Sequence, residues 1–173
     1  MTSDHGNAAG EISVRALIGT IVFTIFVPGT VVVFIPYLLS GWRIAPPFFG
    51  LSIVRWCGVA MILAAIPYFA RFLSRFVVEG RGAPAPVMPT ERLIVGGPFK
   101  HVRNPGYIGV VTMVAGQGLF FGSGKIIAYA IILAVIFHLF VLFYEEPALR
   151  RQFGTEYEEY CRNVPRWIAR PQK

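Results

Sequence analysis

The chain has 173 residues, of which 55% are hydrophobic and only 14% are charged, and its formal net charge is +7. A soluble domain carries about 25% charged residues, so this composition indicates an integral membrane protein. The basic residues flank apolar segments, which argues against nucleic-acid binding, and the two cysteines form neither a disulfide framework nor a metal-binding pattern.

The first 50 residues contain a tail and one long apolar segment. Residues 1–10 are small and polar, which predicts a disordered tail. Residues 12–39 exceed the ~20 residues that a membrane span needs, so this span must tilt, bend or protrude, and Pro28-Gly29 and Pro36 are the predicted irregularities.

Three further apolar segments follow, at residues 51–69, 105–122 and 126–144. Arg55 near the start of the second is expected to extend to the membrane interface. Gln117 in the third and His138 in the fourth are expected to make hydrogen bonds between helices. A basic connection, residues 71–103, separates the second span from the third.

After the fourth span, Glu145-Glu146-Pro147 interrupts the apolar pattern, and Pro147 is expected to open a new helix as its first residue. Leu149, Phe153, Tyr157 and Tyr160 recur at helical spacing, which predicts an amphipathic helix at the membrane interface, followed by Trp167 as an interface anchor.

The fold predicted from these segments is all-α. It is a polytopic membrane bundle of about four transmembrane helices with a C-terminal amphipathic interfacial helix, and residues 1–173 form a single domain. Six Lys and Arg residues lie in the connection 71–103 and six follow residue 149, and four spans place both groups on one side. The positive-inside rule makes that side cytoplasmic, together with both termini.

A bent, basic loop, residues 96–107, separates the two halves of the bundle. Asn104 followed by Pro105 predicts a helix N-cap and a first-turn proline. The positive end of that helix, beside Arg103, is suited to a carboxylate or a phosphate. The alternative is a connecting loop whose basic residues simply sit on the membrane surface.

Glu145 and Glu146 lie on the same face of the membrane as this loop. Two adjacent carboxylates at the C-terminal end of an apolar span repel each other and require cations. Arg103, Arg92 or Arg150 are candidates, and a bound cation is another. Because neighbouring helix positions point about 100° apart, one carboxylate can face a pocket while the other pairs with an arginine. S-adenosylmethionine, which carries a carboxylate, an ammonium and a sulfonium, suits both halves of such a site.

Two motifs in order resemble the signatures of the intramembrane methyltransferases, the group of phospholipid N-methyltransferases and isoprenylcysteine carboxyl methyltransferases. The first is Leu93-Ile94-Val95-Gly96-Gly97-Pro98-Phe99 with Arg103-Asn104-Pro105-Gly106-Tyr107. The second is Phe143-Tyr144-Glu145-Glu146-Pro147 with Phe153-Gly154-Thr155-Glu156-Tyr157-Glu158-Glu159-Tyr160. The resemblance covers roughly residues 80–165, and Gly80-Arg81-Gly82 is similar to a Gly-x-Gly element of the phospholipid branch.

The resemblance implies S-adenosylmethionine bound at the cytoplasmic end of the spans and a lipid-like acceptor that enters from the bilayer. By position, the cofactor contacts are Glu91, Arg92, Leu93, Ile94, Phe99, Arg103, Asn104, Pro105, Gly106, Tyr107, Glu145 and Glu146. A catalytic base is expected to be Glu146, Tyr107 or a lipid phosphate. No metal is expected, and the oligomeric state is left open.

The acceptor is the least determined part. Asn104 stands where the prenylcysteine enzymes have histidine, and Val141 stands where they place a substrate-binding arginine. An uncharged wall suits an amine head group better than a carboxylate, so a phospholipid amine is the predicted acceptor. The alternatives are isoprenylcysteine-type carboxyl O-methylation and a non-enzymatic membrane scaffold or transporter subunit with the same fold.

Overall fold

The computed structural model describes residues 14–78 and 92–169; the predicted tail and the Gly80–Gly82 element lie outside these ranges. Seven α-helices are present in the described residues, joined in two places by π-helical turns at Thr30–Phe34 and Val141–Glu145. The helices are α1 (Val14–Gly29), α2 (Ile35–Ser40), α3 (Ser52–Val78), α4 (Pro105–Phe121), α5 (Gly124–Phe140), α6 (Glu146–Phe153) and α7 (Thr155–Asn163).

The chain is an all-α membrane bundle, as predicted, and the described ranges contain no strand. Three helical stretches are long and apolar enough to cross a bilayer: Ile18–Ser40, Ser52–Phe76 and Gly124–Phe153. α4 is also apolar but shorter; its 17 residues are about 25 Å long against a hydrocarbon core of about 30 Å. α3 continues past the predicted end at residue 69, because Arg71 and Arg75 end the apolar surface without ending the helix.

α3, α4 and α5 form the centre of the bundle. Gly58 lies against Gly116, and Phe72 lies against Gly106, so α3 and α4 run antiparallel. A Cβ atom built on Gly116 would lie 2.8 Å from the carbonyl oxygen of Gly58, which means that the two backbones are in contact. The core around this contact contains Ala65, Phe69, Val110, Met113, Val114, Ile126, Ala130 and Leu133.

The irregularity predicted in the first span is the π-helical turn Thr30–Phe34, between Pro28 and Pro36. Pro36 has no N–H to donate to the carbonyl of Val32 four residues earlier, and its ring clashes with that carbonyl in a regular helix. The wider turn relieves this clash. The freed Val32 oxygen accepts a hydrogen bond from Gln117 Nε2 at 2.8 Å, which confirms the predicted interhelical role of Gln117.

The prediction that Pro147 opens a separate helix is wrong. α6 begins at Glu146 and continues from α5 through the second π-helical turn, which accommodates the proline. The amphipathic segment instead breaks at Gly154, whose φ of 54° separates α6 from α7. Its apolar face packs against Leu93, and this cluster also contains Leu149, Phe153, Tyr157, Tyr160, Cys161 and Val164.

Candidate functional site

The loop before α4 is held against the C-terminal end of α3. Gly97 has a φ of +57°, and a Cβ atom there would lie 2.6 Å from Arg75 Nε, so this position favours glycine. Phe99 is buried and packs against the rings of Phe72 and Phe76 at 5.7 and 6.1 Å. Its carbonyl accepts a hydrogen bond from Tyr160 Oη at 2.7 Å, so α7 fixes the loop from the other side.

Asn104 occupies the predicted N-cap position of α4, and Pro105 follows in the first turn. The expected side-chain cap is absent from these described residues, and that detail of the prediction is wrong. Asn104 Nδ2 donates instead to the carbonyl of Arg166 at 3.2 Å. Burial beneath the C-terminal segment turns the amide away from the helix, because the Arg166 carbonyl there needs a donor.

Glu146 is buried and surrounded by arginines. Arg166 binds it through two nitrogens at 2.6 and 3.0 Å. Arg103 lies 3.3 Å from the same carboxylate, and Arg150 lies 3.9 Å away. The hydrogen bond to Glu146 raises the pKa of Arg166 above its ordinary value. Arg150 also donates from Nε to Glu158 Oε1 at 2.8 Å, so two carboxylates, Glu146 and Glu158, face three guanidinium groups.

Glu145 has a different environment although it is the next residue. Its Oε2 accepts a hydrogen bond from Tyr107 Oη at 2.6 Å, and no arginine pairs with it in the described part of the chain. Tyr107 stands in the first turn of α4, so this bond ties α4 to the π-helical turn. The two carboxylates therefore have different partners, as expected for neighbouring helix positions that point about 100° apart. Glu146 is held by arginines and Glu145 by a tyrosine.

Tyr107 also lines an open cleft of about 340 Å³ between α4 and α5. The other lining residues are mostly apolar, and no Lys or Arg is among them: Ile108, Val111, Thr112, Ala134, Phe137, His138 and Trp167. The expected interhelical role of His138 is replaced by a contact with the C-terminal segment. Its Nδ1 accepts a hydrogen bond from Trp167 Nε1 at 3.0 Å.

The C-terminal segment, residues 164–168, closes over this region. The backbone N–H of Arg103 donates to the carbonyl of Pro165 at 2.9 Å. Arg166 and Trp167 then reach Glu146 and His138 from the same segment. The sequence analysis did not name Arg166 as a partner of Glu146. The signal it could have used was a basic residue shortly after the amphipathic segment that follows the acidic pair.

The remaining predicted residues surround this centre without joining it. Ile94, Pro105 and Gly106 are buried and Leu93 is half-buried. Gly106 lies against the ring of Phe72. Arg92, considered as a partner of the acidic pair, is exposed. Glu91 lies outside the described residues.

Residues 59–156 match the model of a protein family described as Phospholipid methyltransferase. This match spans more than half of the chain and includes the loop before α4, Tyr107, the acidic pair and α6. No protein with a curated description matches the chain.

Proposed function

Since the chain belongs to the phospholipid methyltransferase family, we propose that it transfers a methyl group from S-adenosylmethionine to the amine of a membrane phospholipid. The observation that carries this proposal is the division of the acidic pair. Glu146 is neutralised by arginines, whereas Glu145 is bound by a neutral hydroxyl beside an open cleft. Glu145 is therefore the carboxylate that is available to a cationic ligand.

The charges on the described residues fit the cofactor. Its carboxylate suits the arginine cluster, where three guanidinium groups share Glu146 and Glu158 and the Nε atom of Arg103 is buried without a hydrogen-bond partner. Its ammonium suits Glu145, whose orientation is fixed by Tyr107. When bound, the cofactor supplies a sulfonium that is already a potent methyl donor, so the protein contributes mainly proximity and orientation.

The acceptor nitrogen must lose a proton before it becomes a nucleophile. Glu146 is poorly suited to take that proton, because its lone pairs are occupied by Arg166 and Arg103. Tyr107 lines the cleft, and its hydroxyl already donates to a carboxylate. Of the two residues predicted as a base, Tyr107 is the better placed, because its oxygen can accept the amine's proton while its own proton passes to Glu145 Oε2 along the hydrogen bond that joins them.

The lining of the cleft favours an amine acceptor over a carboxylate. An anion at membrane depth needs a cation or several donors. The described residues that line the cleft include no Lys or Arg. Val141, which stands at the position of the arginine in the prenylcysteine enzymes, is fully buried in the core. A phospholipid amine fits this lining, because its acyl chain can pack against the apolar side chains while its amine lies near Tyr107.

The proposal is tested by incubating the purified protein in detergent with methyl-labelled S-adenosylmethionine and two acceptors side by side. We expect label in an aminophospholipid and none in a farnesylcysteine analogue. Formation of a base-labile methyl ester on the farnesylcysteine analogue alone would overturn the choice of acceptor. Calorimetry that detects no binding of the cofactor or of its demethylated product would overturn the proposal as a whole.

A further inference from the structure

Three aromatic rings meet at the end of the cleft nearest to Glu145. The centroids of Tyr107 and Phe137 are 4.6 Å apart, with their planes at 40°. The centroids of Tyr107 and Trp167 are 6.5 Å apart, with their planes at 60°. The rings thus form a corner instead of a stack, and all three line the same cavity.

The electrostatics of this corner suit a cation. The faces of aromatic rings carry negative potential, and indole is the strongest of the three types. Tyr107 donates its hydroxyl proton to Glu145, and Trp167 donates its N–H to His138, so both rings lose positive character to their acceptors.

We propose that Tyr107, Phe137 and Trp167 form an aromatic cage for an alkylated onium group. Its ligand is the methylated ammonium of a phospholipid head group or the sulfonium of the cofactor, which share a positive charge spread over the attached alkyl groups. The proposal rests on the proposed function, because that function brings both groups to the cleft. Each methylation replaces an N–H donor of the head-group amine with a methyl group. The cage can still hold the methylated head group, because cation–π attraction does not need N–H donors.

Trp167 determines whether the cage is closed. It is the one lining residue supplied by the C-terminal segment, whereas the others belong to α4 and α5. Two hydrogen bonds, from the Arg103 backbone to Pro165 and from Asn104 to Arg166, hold the segment in place immediately before it. Removal of the indole therefore opens the cage without touching Glu145 or the arginine cluster.

The test compares choline with its uncharged carbon isostere 3,3-dimethylbutan-1-ol, which has the same shape. Dissociation constants are measured by ligand-observed saturation-transfer NMR on the full chain in detergent. We expect choline to bind about 2- to 30-fold more tightly than the isostere. This preference should vanish in Trp167→Ala, persist in reduced form in Trp167→Phe, and remain intact in Trp56→Ala, a matched loss of an exposed tryptophan.

A second arm separates the two onium sources. The affinity ratio of S-adenosylmethionine to S-adenosylhomocysteine, which lacks the sulfonium charge, is measured in wild type and Trp167→Ala. A ratio that falls places the sulfonium in the cage; an unchanged ratio together with lost choline preference places the head-group ammonium there. If neither the choline preference nor the cofactor ratio changes in Trp167→Ala, the cage does not exist.

A variant that fails to fold does not leave the inference untested. In the Trp42→Phe/Trp56→Phe chain, Trp167 is the sole tryptophan, and its indole N–H resonance should shift with choline and not with the isostere. Methyl transfer to an aminophospholipid is assayed on the same preparations. Choline preference without transfer would refute the proposed function alone. Transfer with neither a choline preference nor a cofactor ratio that depends on Trp167 would refute the cage alone.

Discussion

Glu145 and Glu146 are chain neighbours with unlike partners, and the sequence motif gives no hint of which is which. Glu146 has a side chain only 4% exposed and is bound by Arg103, Arg150 and Arg166. Glu145 binds Tyr107 beside the cleft. Their identical side chains should therefore respond differently to the same substitution.

Glu145→Gln should weaken binding of S-adenosylmethionine by about 1.5–3 kcal/mol, the range for a hydrogen bond to a charged group. The substitution keeps the shape and removes the charge that is proposed to hold the cofactor's ammonium. Calorimetry in detergent measures the affinity, with the exposed Glu156→Gln as the matched control. Unchanged affinity together with a lower melting temperature would assign Glu145 a structural role.

Glu146→Gln should instead destabilise the folded protein by about 3–5 kcal/mol, because it leaves the nearly buried guanidinium of Arg103 and the partly buried one of Arg166 without their counter-ion. Thermal melting in detergent measures this change, with the exposed Glu159→Gln as control. A melting temperature equal to that of wild type would show that the arginines find other partners.

At the scale of helices, the apolar segments and the place of the first irregularity were predictable, but the π-helical form of the two irregularities was not. Hydropathy located the four apolar segments, three of which are long enough to cross a bilayer, because membrane burial leaves a strong compositional signal. The π-helical turns depend on local competition between a proline ring and a carbonyl, together with a donor on another helix, such as Gln117 for Val32. That donor is 85 residues away in sequence, so no local pattern reveals it.

The first π-helical turn gives a coupling prediction. Gln117→Leu should destabilise the protein by about 1–3 kcal/mol, because the partly buried Val32 carbonyl loses its donor. In a Pro36→Ala background the backbone N–H of residue 36 can bond to Val32, so the same substitution should cost less. A double-mutant cycle of unfolding free energies measures the difference; additive effects would mean that Pro36 does not cause the turn.

The contact between α3 and α4 gives a packing prediction. Gly116→Ala places a methyl group 2.8 Å from the Gly58 carbonyl oxygen, so the two helices must separate and the melting temperature should fall. Gly124→Ala is the matched control, since nothing lies within 4 Å of its Cβ position. Equal melting temperatures for the two variants would show that α3 can move away at no cost.

For the whole molecule, the helical bundle and the family motifs were predictable from the sequence. The packing of residues 164–168 over the site was not. Val164 to Trp167 looked like a tail with an interface anchor, because its partners lie in the loop before α4 and in α5. Hydrogen bonds from Arg103 and Asn104 to backbone carbonyls leave no side-chain signature on the residues that accept them. Tertiary contacts of this kind become visible only when the fold is known.

The predicted orientation, with both termini and the acidic pair in the cytoplasm, is tested by cysteine labelling. In a chain lacking Cys57 and Cys161, single cysteines replace the exposed residues Lys125 and Thr155. Because the basic residues concentrate beside Thr155, an impermeant thiol reagent should label position 125 in intact cells and position 155 only in inverted vesicles. The reverse pattern would place the site outside.

The attachment of residues 164–168 to the loop before α4 has a consequence for biosynthesis. A ribosome makes the chain from its amino end, so α3, α4 and α5 can enter the bilayer before Arg166 and Trp167 have been joined to it. Throughout insertion, Glu146 lacks its bidentate partner and the cleft lacks one wall. The site is therefore completed by the last-made part of the described chain, and a nascent protein stalled before residue 164 has its spans but no finished site.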